Sequence, residues 1–492
     1  SFYFRSLNAV NGMGRLGRSL MGVGFLVGSV AWAQTPLNER RFYPEELRED
    51  VETIRRAVHH LHPDAYRYLP KAALDQRFDS LGAALSVPTT TTEFMLMVGP
   101  VVQALGDAHT FVDLPVATAE RLHQTTPLLP LKIRVIHGQA YIEEELMGFR
   151  SIPSGQRIRS IDGVPMERLL SELGALVRTD GHDEIFVTRT VERDFLHLHA
   201  LQYGHRPQHI VEHEAKDGTV TSTVLRSLTG EEISSSYRPA TARLRPWRLE
   251  PFGDEHAAWI TCRTLDADTL RAYDIDATRM VELFLQEVRS KDLRTLVIDV
   301  RGAGGADLGM AEALFSMIGT SPYRVVREIA MRQPGSLPDG GSVDYASLDA
   351  TSVPESDRAI TIPADDPRLA MTPPYSKAFL GKVYVVCDGL TRDAGAAFVM
   401  LAKRSGRARI VGEEVGSNSQ SFCGGREALV TLPRTKLRLH IPLARFVPEG
   451  HGDGPVDHGE LPHHPVEQQV SGLAIGRDTV KASLLDLIRE LQ

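Results

Sequence analysis

Two turns, each between an apolar run and a helical pattern, are the segments of this sequence best able to carry chemistry. The first turn, residues 301–306 (RGAGGA), follows the apolar run LVIDV at 296–300. The second turn, residues 388–393 (DGLTRD), follows VYVVC at 383–387. A glycine turn before a helix can bind phosphate, or it can present backbone N–H groups to a carbonyl oxygen as an oxyanion hole. The first turn lacks the lysine and Ser/Thr of a P-loop and the full dinucleotide fingerprint, which favours the oxyanion hole over nucleotide binding.

Histidines supply the other chemically capable side chains. His109 lies in a tight turn, GDAHT at 106–110, directly after a predicted helix. Histidine suits general-base work near neutral pH, and the alternative is a histidine that only caps a helix or fills the core. His59, His60 and His62 lie at the end of another predicted helix, and we interpret them as a solvated face. No metal site and no other cofactor is predicted.

Three patterns of periodicity divide the chain into domains that must position these residues. Helical spacing of apolar residues predicts an N-terminal helical domain over residues 36–112. Alternating patterns predict a β-rich domain, with an insertion, over residues 120–235. Strands, turns and helices then alternate over residues 240–492, the βαβ pattern of a parallel or mixed sheet. The sequence therefore predicts an α/β fold for its last half.

The β-rich domain contains a pattern associated with peptide binding. Residues 152–165 (IPSGQRIRSIDGVP) place two turns around a short strand, and an amphipathic helix follows. This order resembles a PDZ-type module, which binds an extended chain end as an added strand of its sheet. The alternative is a β-rich spacer domain without a ligand.

The first residues have the features of a signal peptide. Arg15 and Arg18 precede an apolar run at 20–31, and AWA at 31–33 supplies the small-x-small cleavage pattern. We predict a signal peptide over residues 1–33 and export to the periplasm or the extracellular space. A membrane anchor is the alternative, but the run is shorter than the about 20 residues that span a bilayer. No stable membrane span is expected after cleavage.

Charge and cysteine content restrict the partners. A net charge of −8 gives no general attraction to phosphates, so nucleic acid is not a predicted partner. The three cysteines, Cys262, Cys387 and Cys423, are too few for a disulfide framework. Cys262 and Cys387 lie in strand-like apolar runs, which predicts buried thiols.

Five segments, in order along the chain, resemble the C-terminal-processing, or tail-specific, serine peptidases and their tricorn-like relatives. The segment IDVRGAGG resembles the family's Asp-Leu-Arg-x-Asn-x-Gly-Gly turn, and DGLTRDAGAAF is similar to its Thr-x-Ser-Ala-x-Glu nucleophile turn. The remaining resemblances are GRARIVGEEVG to the Gly-Glu-x-Thr-Gly-Gly element, DHGELPH to Gly-Val-x-Pro-Asp, and GDAHT to Asp-Gly-His-Thr. The resemblance implies a ClpP/crotonase-like ββα superhelix for the α/β domain, and a polypeptide substrate or ligand.

The resemblance also implies roles for individual residues. Asp393 stands where the family has its nucleophilic serine, and His109 takes the position of the general base. Asp457 is the acidic residue expected to orient that histidine. Backbone N–H groups of Gly304 or Gly305 and of Ala394 are expected to form the oxyanion hole.

The serine-lysine branch of the family is not predicted, because GSN at 416–418 occupies the stretch where its lysine lies. Other departures from the family pattern concern activity itself. An ionised aspartate accepts hydrogen bonds only, so it cannot replace serine in the usual mechanism. Ala303 also replaces the family's asparagine, and His463 stands where an aspartate is usual. Two functions remain open: a serine-type hydrolase of polypeptide chains or tails, either active or inactivated because Asp393 replaces serine, and a non-catalytic peptide-binding scaffold.

Overall fold

The computed structural model describes residues 40–146, 151–236, 245–252, 256–332, 348–349, 359–452 and 454–490. The predicted signal peptide lies outside these residues. The helices are α1 (Pro44–Leu61), α2 (Lys71–Ala84), α3 (Thr91–Gln103), α4 (Val116–Thr125), α5 (Met166–Gly174), α6 (Glu184–Tyr203), α7 (Gly230–Ser236), α8 (Ala267–Ala272), α9 (Ala277–Ser290), α10 (Gly309–Ser316), α11 (Ala394–Arg404), α12 (Val470–Ala474) and α13 (Thr479–Glu490).

The strands of the first half are β1 (Arg41–Phe42), β2 (Thr89–Thr90), β3 (Phe111–Asp113), β4 (Pro127–Leu128), β5 (Leu131–Ile136), β6 (Gln139–Glu145), β7 (Arg157–Ile161), β8 (Val164–Pro165), β9 (Gln208–Glu214), β10 (Val220–Arg226) and β11 (Leu228–Thr229). Those of the second half are β12 (Trp247–Pro251), β13 (Ala257–Cys262), β14 (Thr295–Asp299), β15 (Val326–Arg332), β16 (Leu348–Asp349), β17 (Ala359–Thr361), β18 (Lys382–Cys387), β19 (Arg409–Gly412), β20 (Phe422–Thr431), β21 (Arg438–Pro448) and β22 (His464–Pro465).

A largely parallel sheet organises the second half of the chain. Its strand order is β12-β13-β14-β18-β19-β22, with only the β12–β13 pair antiparallel. Every residue of β14 is buried, as expected of a strand covered on both faces. Helices α9, α10 and α11 pack on one face through Phe284, Phe315 and Phe398, and α13 packs on the other through Leu484 and Ile488. The predicted α/β fold is therefore confirmed.

The register of the two central strands brings the two chemically interesting turns together. Strands β14 and β18 are parallel neighbours, and Asp299 pairs with Val386 near their ends. The carboxyl ends of parallel strands meet at one edge of a sheet, which is where ligands commonly bind in α/β folds. The turns that follow the two strands consequently lie side by side.

The N-terminal helices complete their core with a distant hairpin. Phe78 and Phe94 of α2 and α3 belong to the same buried cluster as Val430, Leu439 and Ile441 of β20 and β21. The helices predicted over residues 36–112 therefore share a core with the C-terminal part of the chain. The same hairpin holds β3, which pairs antiparallel with β21 directly after the turn that carries His109.

The middle of the chain forms a sheet of order β10-β9-β7-β6-β5, with β8 paired to β7. The amphipathic helix predicted after residue 165 is α5, which buries Met166, Leu169 and Leu173. Along the outer edge of β5, helix α6 satisfies the backbone of Val135: Glu192 accepts from its N–H, and Arg189 donates to its carbonyl oxygen at 2.9 Å. This edge of the sheet is thus closed at Val135.

None of the helices in the described part of the chain has the length and apolar character needed to cross a membrane.

Candidate functional site

Asp393 occupies a sharp turn between β18 and α11. Its backbone has φ 53° and ψ −124°, a region in which a residue with a Cβ is strained. Hydrogen bonds hold the turn in this form: Arg392 N–H donates to the Ala303 carbonyl at 3.0 Å, and Asp393 N–H donates to Ser417 Oγ at 2.8 Å. Hydrolases use a strained strand-to-helix turn of this kind to present a nucleophile.

His109 reaches Asp393 from the other end of the sequence. Its Nε2 lies 2.8 Å from Asp393 Oδ1, and both residues are 7% exposed. The pairing of β3 with β21 brings the His109 turn against the hairpin, and Gly424 of β20 lies close to the imidazole. The structure thus joins the two residues that the sequence placed at the base and nucleophile positions.

A second histidine supports the His109 turn from behind. Asp107 Oδ1 accepts from His109 N–H at 3.1 Å, and Asp107 Oδ2 lies 2.9 Å from Nε2 of His62. Asp64 N–H donates to His62 Nδ1 at 3.0 Å, so Nδ1 is an acceptor and Nε2 carries the proton donated to Asp107. The interpretation of His62 as part of a solvated face is wrong: His62 is 1% exposed, because the end of α1 is covered by this turn.

A third carboxylate, Asp180, lies beside His109 on the segment before α6. Its Oδ1 accepts from Ala108 N–H at 2.9 Å, whereas its Oδ2 is buried without a hydrogen-bond partner. The Nδ1 atom of His109 is also buried without a hydrogen-bond partner. It lies 3.6 Å from Asp107 Oδ1, beyond hydrogen-bond distance.

Burial and mutual charge set the protonation of this cluster. Burial lowers the pKa of His109, but the charge of Asp393 and the carboxylate of Asp107 outweigh it and hold that pKa well above its usual range. Burial raises the pKa of Asp107, but the neighbouring imidazoles of His109 and His62 overcome this and lower the pKa. Burial dominates at Asp180 and raises its pKa to about 6, although the charge of His109 opposes the shift. His109 and Asp393 therefore form a buried ion pair.

The predicted oxyanion hole is altered at Ala394. Its N–H donates to the Gly305 carbonyl oxygen at 3.1 Å, which satisfies one of the free N–H groups at the start of α11. The Ala394 N–H is therefore engaged within the protein rather than free to bind a substrate oxygen. Gly304 borders the Asp393 carboxylate: a Cβ at Gly304 would lie 3.5 Å from Asp393 Oδ2. The Asp393 carboxylate thus lies next to Gly304, on the turn predicted to supply the oxyanion hole.

Asp457 does not take the orienting position predicted for it. Its backbone carbonyl accepts from His182 N–H at 3.0 Å, and its φ is 73°. Within the described residues, the carboxylates that approach His109 are those of Asp393, Asp107 and Asp180 rather than Asp457. Asp457 instead holds the 181–182 turn through its main chain, and so supports the segment that carries Asp180.

Comparisons with known proteins agree with this fold. Residues 264–456 match the model of peptidase family S41, a match that includes both turns and leaves His109 outside. A crystal structure of mature CPAF is similar at 13% identity and a TM-score of 0.64, over 91% of this chain and 97% of that one. Mature CPAF complexed with lactacystin is similar at 14% identity and a TM-score of 0.61, over 91% and 98% of the two chains. A search of curated protein sequences found no match.

At these identities the likeness to CPAF shows a shared fold alone. The shared α/β fold and the family match together support a relationship to peptidase family S41.

Sequence reasoning missed His62 and Asp180. In the sequence, Asp107 is distinguished only as a member of the GDAHT segment, because its contacts with His62 and His109 depend on how α1 packs against the turn after α3. Asp180 lies in a polar stretch, TDGHD at 179–183, whose composition is that of any exposed turn. No signal in the sequence distinguished it.

Proposed function

We propose that this protein is a member of peptidase family S41 that binds polypeptide chains without serine-type hydrolysis. One observation carries the proposal: the carboxylate of Asp393, 2.8 Å from His109 Nε2, stands at the nucleophile turn. A serine at this position would give its proton to the histidine and attack a carbonyl carbon. An ionised carboxylate has no proton to give. In the ion pair the imidazole of His109 is protonated, so it has no free lone pair with which to act as a base.

The surroundings of Asp393 support the same conclusion. An acyl-enzyme reaction requires backbone N–H groups aimed at the developing oxyanion. The Ala394 N–H is bonded to the Gly305 carbonyl, and the Asp393 carboxylate borders Gly304. A negative charge beside the oxyanion position would oppose the charge that develops there.

Support for a polypeptide ligand comes from the family match and from an open sheet edge. In the described part of the chain β10 pairs with β9 only, and Val220 and Val224 on it are 49% and 57% exposed. An unpaired edge with exposed apolar side chains suits the addition of an extended chain as a further strand. The edge of β5 suits it less, since α6 occupies the backbone of Val135.

The first prediction tests the missing nucleophile with a fluorophosphonate probe. The parent protein should remain unlabelled and should leave fluorescein-labelled casein uncleaved while raising its fluorescence anisotropy. Asp393→Ser supplies a hydroxyl within reach of His109, so this variant should be labelled at the new serine. Adding His109→Ala should abolish that labelling.

A thermal melt of each variant shows whether it is folded. Labelling of the parent, or casein cleavage that is lost in Asp393→Ala, would contradict the proposal. A folded Asp393→Ser variant that stays unlabelled would place the defect in the oxyanion turn at Ala303 rather than at residue 393.

A further inference from the structure

The cluster behind the nucleophile turn has the composition and spacing of a metal site. One ligand atom each from Asp107, His109 and Asp180 lies within 4.8 Å of the other two. All three residues are more than nine-tenths buried, being 5%, 7% and 4% exposed. Two of the candidate ligand atoms, His109 Nδ1 and Asp180 Oδ2, have no hydrogen-bond partner. Buried polar atoms are rarely left unsatisfied, so two of them in one cluster indicate a missing ligand.

A neighbouring cluster fits an ion less well. His62, Asp107 and Cys423 also place one ligand atom each within 4.8 Å of one another. However, both ring nitrogens of His62 are already engaged, Nδ1 by Asp64 N–H and Nε2 by Asp107. Burial also raises the pKa of the Cys423 thiol well above its usual range, which opposes formation of the thiolate ligand.

We propose that Asp107, His109 and Asp180 bind one divalent transition-metal ion, which displaces the proton on Nδ1 of His109 to solvent and takes that atom as its nitrogen ligand. A histidine that binds a metal usually donates its other ring N–H to a carboxylate, which fixes the orientation of the ring. Asp393 Oδ1 lies 2.8 Å from Nε2 and supplies that carboxylate. Asp393 is then a positioning residue for the metal ligand.

Charge and distance both suit such an ion. Two carboxylates neutralise a divalent ion in a buried place where an unpaired charge would be costly. The 3.6 Å between His109 Nδ1 and Asp107 Oδ1 is compatible with one ion bound to both at about 2.0–2.2 Å. One imidazole and two carboxylates favour Zn²⁺ or Mn²⁺ over Mg²⁺ or Ca²⁺, which prefer oxygen ligands alone.

The proposed metal site does not rest on the proposed function. Its test measures the number of ions bound per chain, whereas the proposed function is tested by probe labelling and casein cleavage. Protein without a histidine tag is treated with a chelator, and Zn²⁺ and Mn²⁺ are added separately in equilibrium dialysis. One ion per chain should bind and should raise Tm, since a ligand that binds the folded state stabilises it. Mg²⁺ serves as the comparison ion and should bind more weakly.

Two variants on one segment make the test specific. Asp180→Asn should lose the bound ion and the metal-dependent rise in Tm. Asp183→Asn is the matched control, because Asp183 lies three residues further on and also has a buried oxygen without a partner. This control should retain both. Asp393→Asn should weaken binding by about 10–100-fold, the usual effect of removing a carboxylate behind a ligating histidine.

Two results would overturn the proposal. The first is a parent protein that binds no ion above background. The second is stoichiometric binding that persists in folded Asp180→Asn. If that persisting binding is lost in Cys423→Ser, the ion belongs to the His62 cluster.

Discussion

At the scale of single residues, Asp393 combines a strained backbone with a buried ion pair. A residue with a Cβ at φ 53° and ψ −124° costs about 1–3 kcal/mol, whereas glycine adopts the same conformation freely. The turn nevertheless keeps this geometry, because bonds from Ser417 and to Ala303 hold its backbone. The strained conformation is therefore kept although the residue at this turn is an aspartate and not a nucleophilic serine.

A pair of substitutions isolates that strain. Asp393→Gly and Asp393→Ala both remove the carboxylate and its contact with His109, so their difference reports the backbone. Asp393→Gly should unfold with a free energy about 1–3 kcal/mol larger than Asp393→Ala. Urea denaturation of the two variants measures this difference. Equal stabilities would mean that the turn relaxes once the ion pair is lost.

Asp183 gives the protein a pH dependence of its own. Burial raises its pKa to about 8, with the charge of Glu414 acting in the same direction. The ordinary pKa of an aspartate is about 4. At pH values between about 4 and about 8, Asp183 therefore keeps its proton in the folded state but has released it in the unfolded state. The free energy of unfolding should therefore fall as pH rises through this window, by up to about 1.4 kcal/mol per pH unit.

The variant Asp183→Asn removes this dependence and keeps the cap of α6. Asparagine is as good an N-cap as aspartate, and its Oδ1 can still accept from Phe186 N–H. Urea denaturation at several pH values should show that the free energy of unfolding of the variant rises relative to that of the parent as the pH increases from about 4 to 8. A parent and variant with parallel pH profiles would contradict the assignment.

At the scale of elements, a buried carboxylate fastens α1 to the tip of the β20–β21 hairpin. Asp50, which is fully buried, accepts from the N–H groups of Arg434 and Thr435 at 2.9 and 2.8 Å and from Thr435 Oγ1 at 2.6 Å. The adjacent Glu49 pairs with Arg434 in solvent, each side chain being nearly half exposed. Two neighbouring acids therefore contact the same hairpin in different surroundings.

This contrast supplies a matched test. Asp50→Ala should lower the free energy of unfolding by at least about 2 kcal/mol, because it leaves three donors, two of them buried, without an acceptor. Glu49→Ala should change it by less than about 1 kcal/mol, as is usual for an exposed ion pair. Thermal or urea denaturation distinguishes the two variants. Similar losses in both would show that the hairpin tip is open to water.

The elements that the sequence predicted best are those whose pattern is local. The run at 296–300 and the glycines after it require only their own residues to be recognised as a strand and turn. The bond from Ala394 N–H to the Gly305 carbonyl could not be predicted, because it depends on how two turns face each other across neighbouring strands. The same reason explains why Asp180 and His62 were missed, and why the sequence did not show that Asp107 and Asp180, rather than Asp457, lie beside His109.

At the scale of the whole molecule, the α/β prediction is confirmed, and the contact between His109 and Asp393 is the most demanding feature that the resemblance anticipated. These residues lie 284 positions apart, so no local pattern could have joined them. The sequence divided the chain into successive domains, but the buried cluster of α2 and α3 also includes β20 and β21. Domain boundaries drawn from changes in periodicity do not detect a core that is shared by distant segments.

The shared core between the first helices and the last hairpin has a consequence for synthesis. The chain between Asp50 and Thr435 is 385 residues long. At about 5–20 residues per second, a ribosome needs roughly 20–80 s to produce it. During that interval the apolar faces of α2 and α3 lack their partner strands, and nucleation must wait for contacts of high sequence separation. The nascent chain is therefore open to chaperones and to association with other chains until its C-terminal hairpin emerges.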